Sequence, residues 1–322
     1  MKPLFALCLL ACFSWNWASA EVVISELEDR FRVEIDGQLF TEWRHQDWKA
    51  PYLYPVIGPD GENITRHFPM KDGVEGEQKD HKHHRSIRFS HRNVNGMSFW
   101  APDSNQGGHD VEIRLENVEK MKSGKTGELI FWNDWMGDGK LVMREKVRLV
   151  FHPLENRQVL MDFDVEFHAV ETPVTFHDEK DGGLGVRVAS SMVVEHRATK
   201  QGKGTILNSH GDKNAAAWGK RAEWADYFGP GASGKTVGIA MFDHPSNLRF
   251  PTHWHARTYG LITANRFGTG YFEAKQGAKR GDGDYTIPVG ETLSLRHRLY
   301  FHHGDPESAK VAEQYRLYAS ES

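Results

Sequence analysis

The chain has 322 residues, a formal net charge of −4 and interspersed acidic and basic residues, which argues against a nucleic-acid partner. Its length fits one large β domain or two ordinary domains and is enough to bury a core without covalent staples. Histidine (18) and tryptophan (10) are both abundant; the tryptophans can be plain core, and together with many histidines and arginines they also suit sugar faces and sugar hydroxyls.

The first twenty residues, "MKPLFALCLLACFSWNWASA", read as a secretory signal peptide. Lys2 supplies the positive end, Leu4 to Ala11 the apolar core, and "ASA" the small-residue cleavage signal. The apolar run is too short to span a bilayer, and no run of about 18 or more apolar residues follows it. Export to the periplasm or beyond is expected, with lipidation at Cys12 of "LLAC" the minority alternative. Both cysteines, Cys8 and Cys12, fall in this leader. A mature chain from residue 21 would then have no disulfide and no thiolate ligand or nucleophile. Residues 21–322 are expected to form a single domain.

Beyond the leader the pattern is of strands. "RFRVEIDGQLFTEW" carries an Asp36-Gly37 hairpin turn, and "GPDGENITRHF" places turn residues before another run. "LVMREKVRLVF" and "QVLMDFDVEFH" alternate with period two, the mark of half-buried strands. Joined by "HPLENR", they should pair antiparallel. An in-register ladder would set Arg144 opposite Glu166, Lys146 opposite Asp164 and Arg148 opposite Asp162 on a solvent face. "QGAKRGDGDY" reads as a surface hairpin loop. "ETLSLRHRLYFH" is one alternating strand with Leu293, Leu295, His297, Leu299 and Phe301 on one side. The end is helical, with Asp305 as N-cap, Pro306 first in the helix and a stripe of Val311, Tyr315 and Tyr318. The fold class is therefore all-β, a large antiparallel sandwich with a short C-terminal helix.

Three segments hold the candidate chemistry. "DHKHHRSIRFSH", residues 80–91, has four histidines and two arginines in twelve residues. Alternation sends Ile87 and Phe89 to the core and His84, Ser86, Arg88 and Ser90 to a polar surface or cleft, with His81 and His83 in the preceding loop. Imidazoles there suit proton transfer near neutral pH, and Arg85 or Arg88 suits a carboxylate or developing oxyanion. A metal reading draws on His81, His83, His84 and, from afar, His255 or Asp243. No HExxH spacing supports it, and neighbours on a strand point opposite ways, so acid–base groups are slightly favoured. A cluster of hydrogen-bonded or solvent-facing histidines is the plain alternative.

"TFHDEKDGGLGVRV", residues 175–188, places His177 to Asp181 between two strands, with Gly182 and Gly183 allowing a tight turn or close approach to a ligand; a charged hairpin tip is the plain alternative. "FDHPSNLRFPTHWHARTYGLITANRFG" gathers Asp243, His244, Asn247, His253, Trp254, His255 and Arg257, where Trp254 either stacks on a sugar ring or, as the plain alternative, anchors a long, polar, well-packed loop. No GxSxG elbow, P-loop or GxGxxG fingerprint is present, so no nucleotide cofactor is expected. A divalent metal stays open.

These segments, the first extended to "DHKHHRSIRFSHRNVNGMSFW" (residues 80–100), with "PYLYPVIGPDGENITRHFP", "WADYFGP" and "ANRFG", occur in an order that resembles an exported bacterial family labelled "methane oxygenase PmoA" and treated as a domain of unknown function. The resemblance spans about residues 45–302. The label implies an integral membrane enzyme, which the absence of a spanning segment after the leader contradicts. The resemblance implies a large β-sandwich, similar to the galactose mutarotases, and carbohydrate work. Its pattern carries over at Asp80, His81, His83, His84 and Arg85, at Asp178, Lys180, Gly182, Gly183 and Arg187, and at Asp243, His244, Asn247, Trp254 and His255. Asp181, His177 and Glu179 depart from it.

The expectation is an enzyme acting by proton transfer on a sugar or keto-sugar: an epimerase, lyase or hydrolase. His81 or His84 would be the base, Arg85, Lys180 and Arg187 would complete the catalytic set, and Asp243, His244, Asn247, Trp254 and His255 would hold a small-molecule or oligosaccharide ligand. The alternatives are a metal-dependent sugar enzyme and a non-catalytic sugar-binding protein.

Overall fold

The computed structural model describes residues 20–104 and 107–321. The expected leader, with Cys8 and Cys12, lies outside the described residues except for Ala20. In chain order the strands begin with β1 (Val22–Glu26), β2 (Arg30–Ile35), β3 (Gln38–Arg44), β4 (Tyr52–Val56), β5 (Ile87–His91), β6 (Val111–Lys122) and β7 (Gly127–Gly137). They continue with β8 (Lys140–Pro153), β9 (Val159–His168), β10 (Val174–Phe176), β11 (Gly182–Arg187), β12 (Thr205–Asn208) and β13 (Trp224–Pro230). The last are β14 (Thr236–Asp243), β15 (His253–Trp254), β16 (Leu261–Asn265), β17 (Tyr285–Ile287), β18 (Thr292–Leu295) and β19 (His297–His303). Helix α1 (Thr269–Phe272) is a single turn and α2 (Val311–Ala319) lies near the C-terminus.

An eight-stranded sheet runs β1-β2-β3-β4-β5-β11-β16-β15. A nine-stranded sheet runs β12-β13-β14-β19-β9-β8-β7-β6, with β18 also on β9, and β10 pairs with β17 alone. All pairings between these strands are antiparallel. One apolar cluster takes Phe31, Trp43, Leu53, Ile87, Phe89, Leu184, Val186 and Ile262 from the first sheet and Phe131, Leu149, Met161, Phe163, Ile239 and Leu299 from the second. This is the sandwich the alternating pattern calls for: every second residue buries its side chain between the sheets. A second cluster lays α2, through Val311 and Tyr318, on the outer face of the nine-stranded sheet beside Ala240, Phe242 and Tyr300. No helix among the described residues is long and apolar enough to cross a membrane.

The Asp36-Gly37 hairpin forms as expected, both residues taking positive φ (51° and 71°) between β2 and β3. Four local expectations are corrected. The β8–β9 ladder is offset by two residues, so Arg144 faces His168, Lys146 faces Glu166 and Arg148 faces Asp164. The strands extend to Pro153 and Val159, and the tight turn between them sets the offset. A two-residue shift keeps every side chain on its face, so the apolar pattern alone does not choose between the registers. Only Arg148 bonds its opposite carboxylate, at 3.1 Å from Asp164, while Lys146 reaches Glu119 on β6.

Helix α2 starts at Val311, after a turn in which Asp305 Oδ1 accepts from Ser308 N at 2.9 Å and Lys310 adopts φ 55°. The "ETLSLRHRLYFH" strand is broken at Arg296, whose N–H donates to Asn247 Oδ1 (2.8 Å). The "QGAKRGDGDY" loop is not a hairpin between paired strands. It runs into β17, and Gly281 N–H, like Gly270 N–H, donates to the buried Asp178 carboxylate.

Candidate functional site

The site lies on the face of the eight-stranded sheet turned away from the core, where β5, β11, β16 and β15 lie side by side. Ile87 and Phe89, Leu184 and Val186, Ile262 and Ala264, and Trp254 point into the sandwich. The alternate residues are Arg88 and Ser90, Gly183, Gly185 and Arg187, Thr263 and Asn265, and His253. Register places Arg88, Gly185 and Thr263 in one row across three strands. This face is also buried, because the segment after β5 folds over it: Trp100 and Ala101 pack on Leu261 and Tyr259. Arg88 anchors that cover, donating to Phe99 O (2.6 Å) and Trp100 O (3.3 Å).

The loop of residues 80–86 enters the site under unusual backbone constraint. His81 and Ser86 adopt φ 41° and 44°, a conformation that side chains other than glycine take at a cost of about 1–3 kcal/mol each and that gathers at functional sites. Arg66, fully buried, supplies the restraint. Its guanidinium donates to the carbonyls of Asp80 (2.5 Å), His81 (2.7 Å) and His84 (3.1 Å).

Asp80 is the hub. Its Oδ1 accepts from Arg66 (3.1 Å) and Arg187 (2.9 Å), and its Oδ2 from His81 Nδ1 (2.5 Å) and Arg197 (3.3 Å). Burial alone would raise its pKa. The His81 hydrogen bond and the charges of Arg187 and Arg66 override burial and hold the carboxyl well below the usual range. An ionised Asp80 fixes His81 as the Nδ1–H tautomer and leaves Nε2 as the acceptor.

The His81 ring lies in a stack. It is parallel to His84 at 4.8 Å and to Tyr259 at 5.3 Å. Arg187, itself buried, donates to His84 Nδ1 (3.2 Å), so that nitrogen carries no proton and His84 is neutral. Burial, then the Arg187 charge, push the His84 pKa well below the ordinary histidine value. His83 is pushed down to about 4 by burial and by His81, and its ring abuts Trp100. Arg85 and Arg88 both stack on the Trp48 indole, at 4.4 and 4.7 Å. Burial and the neighbouring Arg85 lower the Arg88 pKa to about 9, so it stays cationic at neutral pH.

A cavity of about 20 Å³ opens between these groups, lined by His83, His84, Arg85, Ser86, Arg88, Ser90, Trp100, Gly185, Arg187 and Leu261. A larger cavity, about 540 Å³, lies elsewhere, between the β2–β3 hairpin and the β8–β9 turn. It holds none of the candidate groups, so volume alone is a poor guide to the chemistry here.

A second polar group sits beside the first. Asp181 accepts from Lys180 (2.9 Å) and Arg92 (3.0 Å), and the buried His255 stands 3.7 Å away. Burial lowers the His255 pKa to about 4, with Asp181 acting in the opposite sense. His255 N–H donates to the carbonyl of Thr263 (3.0 Å), the residue in one row with Gly185 and Arg88, which sets the second group next to the first. Gly183 explains the close packing: at φ 91°, a Cβ would collide with the Ala264 carbonyl.

The structure thus gathers His81, His83, His84, Arg85 and Arg187, and sets Lys180 and His255 nearby. It does not bring in the remaining four. Trp254 is fully buried in the core with its indole N–H donating to Ala222 O (2.8 Å), so no face is free to stack on a sugar. Asp243 accepts from Asn247 (2.7 Å), Thr252 N–H (2.9 Å) and Arg266 (3.1 Å), and Arg266 continues to His297 (2.8 Å). Asn247 also donates to Arg296 O, so this pair ties the strand ends together. His244 bonds Glu321 O and packs on Tyr318 at the C-terminal helix. Sequence reasoning overlooked Arg66, Trp100, Arg197 and Tyr259. Arg66, Trp100 and Tyr259 fall within the motif segments, but a buried organising arginine, a covering tryptophan and a stacking tyrosine have no local spacing signature.

No three His, Asp or Glu groups among the described residues are placed to share one metal ion. The donor chemistry agrees at His84, whose Nδ1 lone pair faces the Arg187 guanidinium, a group that would repel a cation.

No curated protein matches the sequence. Similar solved structures include a polysaccharide lyase, at 10% identity and TM-score 0.30, covering 89% of this chain and 33% of that one. A glycoside hydrolase family 97 enzyme in complex with acarbose, from Pseudoalteromonas sp. strain K8, shares 9% identity over 88% of this chain and 34% of that one, TM-score 0.34. A GalM/aldose epimerase homologue from C. elegans shares 8% identity over 89% of this chain and 100% of that one, TM-score 0.34. The chain therefore spans about a third of the length of the lyase and the hydrolase. A family description without the methane oxygenase label matches residues 30–316, and the chain belongs to that family, the family of unknown function DUF6807.

Proposed function

We propose that the Asp80–His81 site is the acid–base centre of an exported enzyme that moves a proton on a sugar or keto-sugar, in an epimerisation or an elimination. The observation that carries this reading is the Asp80–His81 pair in its stack. A half-buried, ionised carboxylate orients one imidazole nitrogen and leaves the other free as a base. Asp80 orients His81 and is a positioning residue. His81 Nε2 takes the proton, and Arg187 with His84 stands where negative charge would develop. Tyr259, over which Arg187, Arg197 and Arg257 lie at 4.7, 4.9 and 5.3 Å, is the candidate proton donor. The surrounding guanidinium and hydroxyl donors suit the hydroxyls of a sugar.

The test is kinetic. On a sugar that the wild-type protein turns over, His81→Ala should lower kcat by about 10²–10⁴, the usual worth of a positioned acid–base group. Asp80→Asn should lower it less and displace the pH profile. Unchanged turnover by His81→Ala would sink the reading.

A further inference from the structure

The cleft is strongly cationic in a chain whose net charge is −4. Three arginines, Arg66, Arg187 and Arg197, share the single Asp80 carboxylate. Three more, Arg85, Arg88 and Arg257, have no carboxylate within ion-pair distance among the described residues. Arg85 and Arg88 rest instead on Trp48, and Arg257 on Tyr259. The Nε atoms of Arg85, Arg88 and Arg187 are buried without a hydrogen-bond partner. Buried donors of this kind carry a desolvation cost unless something accepts from them. Neutral hydroxyl groups would not balance that charge, whereas an anion would.

The cavity bordered by these three arginines, His84, Ser86 and Ser90 measures about 20 Å³. That admits one small group about the size of a water and is far too small for a sugar ring. We infer that it takes one carboxylate oxygen of a sugar acid, with the other oxygen and the ring outside it towards His81 and Tyr259. This deepens the proton-transfer reading above and rests on it for the chemistry and for the choice of carboxylate over sulfate or phosphate, though not for the preference of an anion over a neutral sugar.

The chemistry favours a carboxylate over a sulfate or phosphate. Guanidinium groups paired with the carboxylate acidify the hydrogen on the adjacent carbon. The base takes that proton, and the C–H electron pair becomes a C=C bond to the carboxyl carbon, giving a dianion that the arginines stabilise. Return of a proton to the opposite face gives the epimer. Loss of the oxygen one carbon further on, protonated by the acid, gives an unsaturated sugar acid. Neither route needs an oxidant or reductant.

The experiment is calorimetric titration and thermal shift of the full mature protein with D-glucuronate, D-galacturonate and their methyl glycosides. D-glucose, D-galactose, glucose 6-phosphate, glucose 6-sulfate and inorganic sulfate serve as comparisons. The expected result is uronate binding at least ten-fold tighter than the neutral counterparts, with phosphate and sulfate esters no tighter than neutral sugars. Arg85→Gln should remove the preference while its unliganded melting temperature and circular dichroism stay near wild type. Arg85→Lys should restore part of it. Equal or tighter binding of neutral sugars, binding of only the phosphate or sulfate probes, or no binding at all would overturn the inference. The two readings fail separately. Neutral sugars turned over through His81 would leave the acid–base reading standing without this one. Uronates bound and turned over equally by His81→Ala would do the reverse.

Discussion

Asp80→Asn perturbs the site at its centre. The wild-type carboxylate, with its side chain 20% exposed, serves two guanidinium groups that have no exposure, those of Arg66 and Arg187. Arg197 is 46% exposed and adds little, because water screens it. An asparagine keeps one acceptor, but turns its NH2 toward either a guanidinium or the His81 Nδ1–H. Removing one member of a buried ion pair costs about 3–5 kcal/mol, because the other charges stay buried without balance. At roughly 2.1 cal/mol/K per residue over about 300 residues, that is a drop of about 5–8 °C in melting temperature. Urea unfolding should show the same loss as a lower midpoint at unchanged slope.

The pH dependence has a definite sign. The folded Asp80 pKa lies below its ordinary value of 3.8, so its contribution is present above that value and is lost as pH falls toward the depressed one. The gap between wild type and Asp80→Asn should therefore be full near neutral pH and close on acidification below about pH 4. A loss under 1 kcal/mol, or a gap that does not close in acid, would refute the account of Asp80 as the hub.

Three further outcomes follow from other parts of the molecule. Gly185→Ala should weaken ligand binding at little cost in stability, because its single methyl, 3.2 Å from Thr263 Cγ2, takes up part of the cavity; titration with the same sugars and urea unfolding check it. Trp254→Ala should cost about 3–5 kcal/mol in urea unfolding, as for any large aromatic removed from a core, where a sugar-contacting tryptophan would cost binding instead. His302 and Asp226, both fully buried, form a pair at 3.0 Å on the nine-stranded sheet. Burial disfavours the charged imidazole, but Asp226 outweighs it and raises the His302 pKa above 6.5. Its stabilisation is then complete below about pH 6.5 and lost as pH rises through the folded value, and Asp226→Asn should remove that slope from a melting-temperature profile.

Much of this was legible in the chain, and for physical reasons. Period-two alternation fixes which face of β5 meets the core, so Ile87 and Phe89 inside and Arg88 and Ser90 at the cleft could be read directly. The Asp36-Gly37 turn could be read because few residue pairs tolerate two positive φ values. Register was less legible, because a two-residue slip of β8 on β9 costs no change of face. The site was half legible. The histidines of residues 81–84 announce themselves by density, but the residue that organises them, Arg66, lies upstream and acts on their carbonyls. The group at Asp243, Asn247 and Trp254 misled for a related reason. Polar and aromatic residues that close a network between strand ends look, in sequence, like residues that hold a ligand. Whether such a side chain is satisfied internally is a tertiary property that only the assembled sheets display.

The most direct test of the acid–base centre reads proton removal itself, whichever product the reaction forms. Wild-type protein and His81→Ala are incubated in D2O with uronates, neutral aldoses and keto-sugars, and each carbon-bound hydrogen is followed by proton NMR. The account predicts time-dependent loss of one signal, that of the hydrogen beside the carboxylate or carbonyl, with wild type and not with His81→Ala. Exchange of equal rate in both proteins, or no exchange with any of these sugars, would contradict it.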